Sequence, residues 1–264
     1  DKIGGQFNLA AQIPGKEEFH ETLRYFRVAL ADAEVDVQLN RRVIAMDLVG
    51  FDDVVLATGV TPRIPDVKGI DHPKVVTYLD VLRDHAPVGS TVAVMGAGGI
   101  GFDVAEYLTQ SGPSATVTPD RFYAEWGIDT NYSNRGGLTQ VHLERPPRKI
   151  TLLQRKHSKV GGGLGKTTGW IHRTELKKRG VDMVPGVTYE SIDDAGLHMT
   201  IDDQPVVLDV ETIVVCTGQE PQRELLADLE AAPATVHVIG GADVAAELDA
   251  KRAIKQGTEV AAAL

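Results

Sequence analysis

One stretch in the middle of the chain constrains the fold more than any other: Thr91-Val-Ala-Val-Met-Gly96-Ala-Gly98-Gly99-Ile-Gly101-Phe-Asp-Val-Ala-Glu-Tyr-Leu108. An apolar β-run, Val92 to Met95, ends on Gly96, and helical periodicity follows at once. The spacing of Gly96, Gly98 and Gly101 is G-x-G-x-x-G, the strand–turn–helix signature of a dinucleotide site. In that geometry Gly96 permits the tight turn, Gly98 lets a pyrophosphate approach the backbone, and Gly101 lets the helix pack against the strand. With Gly99, they present free N–H groups and the positive end of a helix dipole to phosphate.

The flanks read as more of the same architecture. Residues 16–33 have helical period, with Phe19, Leu23, Phe26 and Leu30 on one face. Val35 to Leu39 and Arg42 to Asp47 are expected to be short strands. Asp53-Val-Val-Leu-Ala-Thr58-Gly59 is a buried strand ending in a glycine turn, and Glu211-Thr-Ile-Val-Val-Cys-Thr217-Gly218 echoes it; each is followed by a polar loop with proline, Pro62 and Pro221. The helix after Gly101 stops near Gly112-Pro113. Residues 114–148 read as an irregular insert, 149–154 as a strand and 168–179 as a helix. Strands near 181–184, 186–192, 196–201 and 205–209 follow, then Val236-His-Val-Ile-Gly-Gly241-Ala-Asp243 and a helix over 247–263. This predicts an α/β chain of two Rossmann-like dinucleotide-binding domains, one inserted in the other: residues 1–88 with 232–264, and residues 89–231.

Composition narrows the class. The 264 residues allow one large or two ordinary domains. A net charge of −10, from 27 Lys and Arg against 37 Asp and Glu, argues against a nucleic-acid or acidic-membrane partner. No apolar run approaches the roughly 20 residues of a membrane span. The single Cys216 excludes an internal disulfide, a C-x-x-C redox centre and a multi-cysteine iron–sulfur site within this chain. A soluble, cytoplasmic setting is expected. The start, Asp1-Lys-Ile-Gly-Gly-Gln-Phe-Asn8, carries no initiator Met and no opening strand, so the chain reads as a piece of something longer.

The order Gly5-Gln6, Thr58-Gly59, Gly96 to Gly101, Thr217-Gly218 and Gly241-Ala-Asp243 resembles the two-dinucleotide flavoprotein reductases. Ile3 to Asn8, Ile13-Pro-Gly-Lys-Glu-Glu-Phe19, Gly165-Lys-Thr-Thr-Gly-Trp-Ile-His-Arg173 and Glu247-Leu-Asp-Ala-Lys-Arg-Ala-Ile254 more closely resemble the bacterial NADPH-dependent 2,4-dienoyl-CoA reductases. That resemblance implies a longer enzyme: an N-terminal TIM barrel with FMN, an iron–sulfur cluster and the substrate site, then a domain pair like this one. It implies hydride transfer from NADPH to FAD, onward electron flow to FMN, and reduction of a dienoyl-CoA during β-oxidation of unsaturated fatty acids. Dienoyl-CoA is a partner only through the barrel, where FMN and the cluster also belong. The first FAD fingerprint and the second FAD strand are missing from this chain, so the FAD domain is expected to be incomplete at its N-terminus. Trimethylamine dehydrogenase-like or enoate reductase-like proteins of the same build, and a non-catalytic nucleotide-binding or docking module, are the alternatives.

Candidate residues follow. For NADP(H) they are Gly96, Gly98, Gly99 and Gly101 at the pyrophosphate, Arg155 and Lys156 at the ribose end, and Thr217 and Gly218 toward the nicotinamide. The second strand ends in Gln154-Arg155-Lys156 with no acidic residue, and a forked guanidinium beside a point charge suits a 2′-phosphate. For FAD the resemblance implies Gln6, Lys16, Val43, Thr58, Gly59, Gly241 and Asp243, with a helix starting near 249 aimed at the flavin. Gly161-Gly-Gly-Leu-Gly165-Lys-Thr167 nearly spells a P-loop, but position 160 is Val, and ATP hydrolysis is rejected. His157, His172 and His198 lack metal spacing, and Cys216 reads as an inert core thiol. No catalytic acid or base and no metal site is assigned: hydride transfer needs alignment, and the substrate-reducing site belongs to the barrel.

Overall fold

The computed structural model describes residues 1–229, 233–246 and 250–264. In chain order the elements are α1 (Phe7–Ala10), α2 (Phe19–Asp32), β1 (Asp53–Leu56), β2 (Val60–Pro62), β3 (Val75–Thr77), α3 (Tyr78–Leu82), β4 (Thr91–Met95), α4 (Gly99–Thr109) and α5 (Pro119–Trp126). Then come β5 (Lys149–Leu153), α6 (Gly169–Lys178), β6 (Asp182–Val184), β7 (Val187–Asp193), β8 (Gly196–Ile201), β9 (Gln204–Leu208), β10 (Thr212–Val215), β11 (Gln219–Pro221), α7 (Glu224–Leu229), β12 (Thr235–Val238) and α8 (Ala250–Ala263). The expected start of the last helix, 247–249, lies outside the described residues.

Contacts divide the chain into two compact units. One comprises Asp1–Gly5, Leu30–Arg63 and Gly218–Leu264; the other comprises Gln6–Ala29 and Ile64–Thr217. These bounds differ from the sequence-based division at 88/89 and 231/232: β3 pairs with β10, inside the second unit's sheet.

The second unit is built on a five-stranded parallel sheet in the order β3-β10-β4-β5-β6. A parallel sheet needs both faces covered, which is why its strands are nearly unbroken apolar runs. The period-two alternation of β4 feeds two cores. Val92 and Val94 pack with Phe102, Ala105 and Leu108 of α4, Leu176 of α6 and Val81 of α3. Ala93 and Met95 pack on the opposite face with Val187, Ile192, Leu197 and Met199 of the antiparallel meander β7-β8-β9. Each such large side chain, fully buried, contributes about 1.5–3 kcal/mol.

The insert 114–148 is more ordered than its sequence suggests. Pro119 opens α5 at its first turn, and Gly127, at φ 64°, closes it in the left-handed conformation. The helix is tied down by the buried Arg179, which sets one nitrogen 2.8 Å from Glu125 and 3.2 Å from Glu175. Lys178 lies 3.9 Å over the Trp126 ring.

In the first unit β1 and β12 pair in parallel, and β2 and β11 pair antiparallel. Val54, Leu56 and Leu229 form its small core with Leu226, Val236 and Val238 packed against it. The two Thr-Gly echoes thus lead into strands that bond each other, Pro62 opposite Gln219 and Val60 opposite Pro221. The strands expected at 35–39 and 42–47 do not form. Among the described residues β1 bonds only β12, so no neighbour satisfies their ladder groups. A single 3₁₀ turn over Ala45–Leu48 stands there instead, capped where Ile44 N–H donates to Asp47 at 3.0 Å. No described helix is long and apolar enough to cross a membrane.

Candidate functional site

The glycines of the central turn have separable reasons to be glycine. Gly96 sits at φ 107°, and a Cβ there would overlap the Cys216 carbonyl at the end of β10. Thr217 Cα, 3.3 Å from that same Cβ position, lines this approach. At Gly101 a Cβ would overlap the Gly96 carbonyl oxygen, so the helix could not lie this close to the turn. Gly98, at φ −80°, is different: its backbone suits any residue, and a Cβ would meet nothing within 4 Å. Gly99 is equally open. No protein contact demands glycine at 98 or 99; a ligand approaching the backbone would. The cap residue Gly98 offers no side chain to the first N–H groups of α4, which face outward at the positive end of the helix.

Beside the turn, β5 ends and the chain folds into a tight loop. Gln154 Nε2 donates to the carbonyls of Lys156 and Ser158 at 2.9 and 2.6 Å. Gly186 N–H donates to Lys156 O, and Val187 N–H to Gln154 O, each at 3.1 Å. The backbone of 154–156 is thereby fixed to the start of β7, and His157 packs on Gly186, where a Cβ would stand 2.6 Å from its ring. Arg155 and Lys156 are exposed, and neither side chain makes a hydrogen bond or ion pair among the described residues. Two free cations on a rigid strand end suit a phosphate dianion.

Behind the turn, α4 is buried nearly all round, and both of its charged residues are paired. Lys16 Nζ lies 2.6 Å from both Asp103 oxygens. Burial pushes the Asp103 carboxyl up, while Lys16 pulls it down. Glu106 Oε2 lies 3.2 Å from His172 Nδ1, and this contact raises the His172 pKa. Burial, then the neighbouring Glu106, raise Glu175. The sequence reading named Lys16 but missed Asp103 and Glu106; the available signal was two acids on an otherwise apolar helix directly after the glycine turn.

The remaining candidates fall as follows. Gln6 heads α1, its carbonyl accepting from Leu9 and Ala10 N–H at 3.0 Å. In the first unit, the carboxyl ends of β1 and β12 bring Thr58-Gly59 and Gly241 together: a Cβ on Gly241 would stand 2.7 Å from Val60 Cγ1 and 3.3 Å from Gly59 Cα. Thr58 Oγ1 donates to Gln222 O at 2.5 Å, and Gly59 takes φ 78°. Asp243 accepts from Gln256 Nε2 at 2.8 Å, and its carbonyl, with that of Ala242, takes the Arg223 guanidinium. Gly218, at φ 116°, lies against the Arg63 guanidinium. Val43 is 39% exposed on an irregular segment apart from these turns.

Other features carry no chemistry. Val160 is buried and Gly161 packs on the Phe102 ring, so the near P-loop is a structural turn against α4. Cys216 is buried, and desolvation pushes its thiol far up. No metal-binding cluster occurs among the described residues. A cavity of about 530 Å³ at the far end of α4 is lined by Gln12, Glu17, Tyr107, Gln110 and Arg148. Its charged groups are spent within the protein, Glu17 on Gly15 N–H and Thr116, Arg148 on the Val88 and Leu108 carbonyls.

A family model for pyridine nucleotide-disulphide oxidoreductases matches residues 8–250. A metal reductase of Desulforamulus reducens is 28% identical over 251 residues, 92% of this chain and 36% of that protein. Bilirubin reductase of Mediterraneibacter gnavus is 32% identical over 117 residues, 44% of this chain and 18% of that protein. Among solved structures, a 2-naphthoyl-CoA reductase in complex with 2-naphthoyl-CoA is similar at TM-score 0.78 and 22% identity, over 97% of this chain and 34% of that one. Histamine dehydrogenase from Rhizobium sp. 4-9 is similar at TM-score 0.70 and 17% identity, over 98% of this chain and 38% of that one. These structural likenesses bear on the fold. The chain spans little more than a third of the relatives that it matches along nearly its whole length.

Proposed function

The chain belongs to the pyridine nucleotide-disulphide oxidoreductase family, which binds FAD and a nicotinamide nucleotide, and on that premise we propose that it is the NADPH-to-FAD electron-input portion of a barrel-fused reductase. The single observation that carries the nucleotide site is Gly98 at the head of α4, where an added Cβ would meet nothing within 4 Å and the backbone has no need for glycine. The exposed, unpaired Arg155 and Lys156 favour NADPH over NADH. Residues 89–231 are assigned to NADP(H), and residues 1–88 with 232–264 to FAD.

In this reading the N–H groups of Gly98 and Gly99 receive the pyrophosphate, and Arg155 with Lys156 holds the 2′-phosphate. Gly96 keeps the turn open beside Thr217, and Thr217 with Gly218 takes the nicotinamide end. Gly59 and Gly241 fit a flavin by their lack of side chains: both stand at strand ends, and Gly59 has nothing within 4 Å of a Cβ position. Thr58 and Asp243 would hold its ribityl side, with Gln6, Lys16 and Val43 as further contacts. FAD, when bound, supplies a two-electron acceptor that can release electrons singly. This chain's contribution to hydride transfer is alignment, with no proton donor required.

The acceptor we propose is an unsaturated acyl-CoA of the 2,4-dienoyl class, reduced at an FMN and iron–sulfur barrel beyond this chain, in the cytoplasm. Support comes from the Gly165 to Arg173 and Glu247 to Ile254 stretches and from the CoA ester named for the 2-naphthoyl-CoA reductase. The test is a titration of the chain with NADPH and with NADH, read by quenching of Trp126 and Trp170, with and without added FAD. Saturable NADPH binding at least tenfold tighter than NADH supports the reading. Equal binding of both removes the 2′-phosphate assignment, and no binding of either, by a chain shown to be folded, removes the nucleotide site.

A further inference from the structure

Tyr189 lies on β7, and nothing in the sequence marks it. Its ring packs on the meander-side core with Met95 and Leu153, yet its hydroxyl oxygen is buried and finds no hydrogen-bond partner among the described residues. A buried hydroxyl left unpaired is a cost that a native structure rarely carries without a use. The backbone around Tyr189 is specialised as well. It faces Met199 on β8, and immediately after it the ladder slips, so that Ser191 rather than Glu190 faces His198. Such bulges recur where a side chain is re-aimed beside a site.

The hydroxyl lies within electrostatic range of the Arg155 guanidinium and the Cys216 thiol, and the Gly96 N–H also acts on it. Two of these neighbours can be set aside. The Gly96 N–H already donates to Leu153 O at 3.0 Å, and the Cys216 thiol is a weak partner. Arg155 remains, an exposed guanidinium with five donors and no partner among the described residues. Its backbone is fixed through Gln154 and Lys156 to Val187 and Gly186, two and three residues before Tyr189. Burial raises the phenol, so it is neutral at physiological pH and offers Arg155 an acceptor without competing with an anionic ligand for its charge.

We propose that Tyr189 is a positioning residue for NADPH discrimination: its buried hydroxyl accepts from Arg155 and holds the guanidinium as a fork toward the 2′-phosphate. This rests on the NADP(H) reading above and deepens it. Arg155 touches the ligand, and Tyr189 acts through Arg155. An unanchored arginine would give up side-chain entropy on each binding event; a pre-oriented one gives up less.

The experiment is Tyr189→Phe in the chain as it exists, with 2′,5′-ADP, 5′-ADP, NADPH and NADH as titrants. Tyr189→Phe is expected to weaken 2′,5′-ADP and NADPH about five- to tenfold, to leave 5′-ADP and NADH within about twofold, and to leave the melting temperature unchanged or raised. In an Arg155→Ala background the same substitution is expected to have no further effect on any of them. An equal loss for all four titrants would mean that the ring merely supports the glycine turn, and that overturns the proposal. Unchanged 2′,5′-ADP binding overturns it too. If the parent chain itself does not distinguish 2′,5′-ADP from 5′-ADP, the underlying NADPH reading fails first and takes this one with it.

Discussion

Lys16 and Asp103 are 87 residues apart in sequence, and Lys16 Nζ stands 2.6 Å from both oxygens of the Asp103 carboxylate. The two partners are not equivalent. Asp103 sits on the buried helix that follows the glycine turn, and burial acts on it more strongly than the lysine does. Removing the lysine strands a poorly solvated carboxylate, whereas removing the carboxylate leaves an ammonium on a flexible stem that can reach water. Lys16→Met is therefore expected to destabilise the chain by about 1–3 kcal/mol, Asp103→Asn by less, and the double variant by little more than Asp103→Asn alone. Urea unfolding of the four proteins measures this; additive losses would show that the pair is not coupled.

The glycines of the turn separate folding from binding. Gly101→Ala places a methyl on the Gly96 carbonyl and forces α4 away from β4, so a loss of about 1–3 kcal/mol in stability is expected. Gly98→Ala meets nothing in the protein and is expected to change stability by less than about 0.5 kcal/mol while weakening NADPH at least tenfold. Thermal melts and nucleotide titrations of the two variants should dissociate these effects. A Gly98→Ala variant that binds NADPH normally would remove the main support for the site.

What the sequence disclosed, and what it hid, follows from how local each feature is. The strand at 91–95, the turn and the helix at 99–109 are written in consecutive residues, so their period and glycine spacing suffice. The meander and the Thr-Gly strands were legible for the same reason. The runs at 35–39 and 42–47 have strand-like composition, but a strand exists only with a neighbour, and the described residues provide none. Helix α5 carried both of its end signals, Pro119 and Gly127, inside a stretch otherwise rich in loop residues. Its anchor, Arg179, is 54 residues from Glu125 and cannot be read from local pattern. The bonds from Gly186 and Val187 N–H to Lys156 and Gln154 O form only because the chain folds back at the start of β7.

The cluster on α4 sets the sign of a pH dependence. His172 is raised by its contact with Glu106, so its contribution to stability is complete below its ordinary value of 6.5 and is lost as pH rises through its folded value. Glu175 and Asp103 are raised by burial, and for them too the folded state holds the proton more tightly, so stability falls as pH climbs above the ordinary carboxylate range. All three act in one direction. Stability is expected to decline as pH rises above 6.5, and Glu106→Gln is expected to flatten that decline by returning His172 toward its ordinary value. Urea midpoints at several pH values test this; a variant with the parent's pH slope would rule out His172 as its source.

The family name refers to disulfide chemistry, yet this chain holds one cysteine, so no dithiol can form within it. Cys216 ends a buried strand, with its carbonyl against Gly96 and its thiol raised by burial. Thiolate character controls cysteine reactivity, so a thiol held protonated and out of water has neither of the properties that attack requires. Native protein is expected to resist an aromatic disulfide reagent over hours at pH 8 and to react fully with one equivalent once unfolded in guanidinium. Cys216→Ala is expected to bind nicotinamide nucleotide within about twofold of the parent, because the backbone that abuts Gly96 is unchanged. Rapid labelling of the folded chain, or loss of nucleotide binding on that substitution in a protein that still melts cooperatively, would place the thiol at the site rather than behind it.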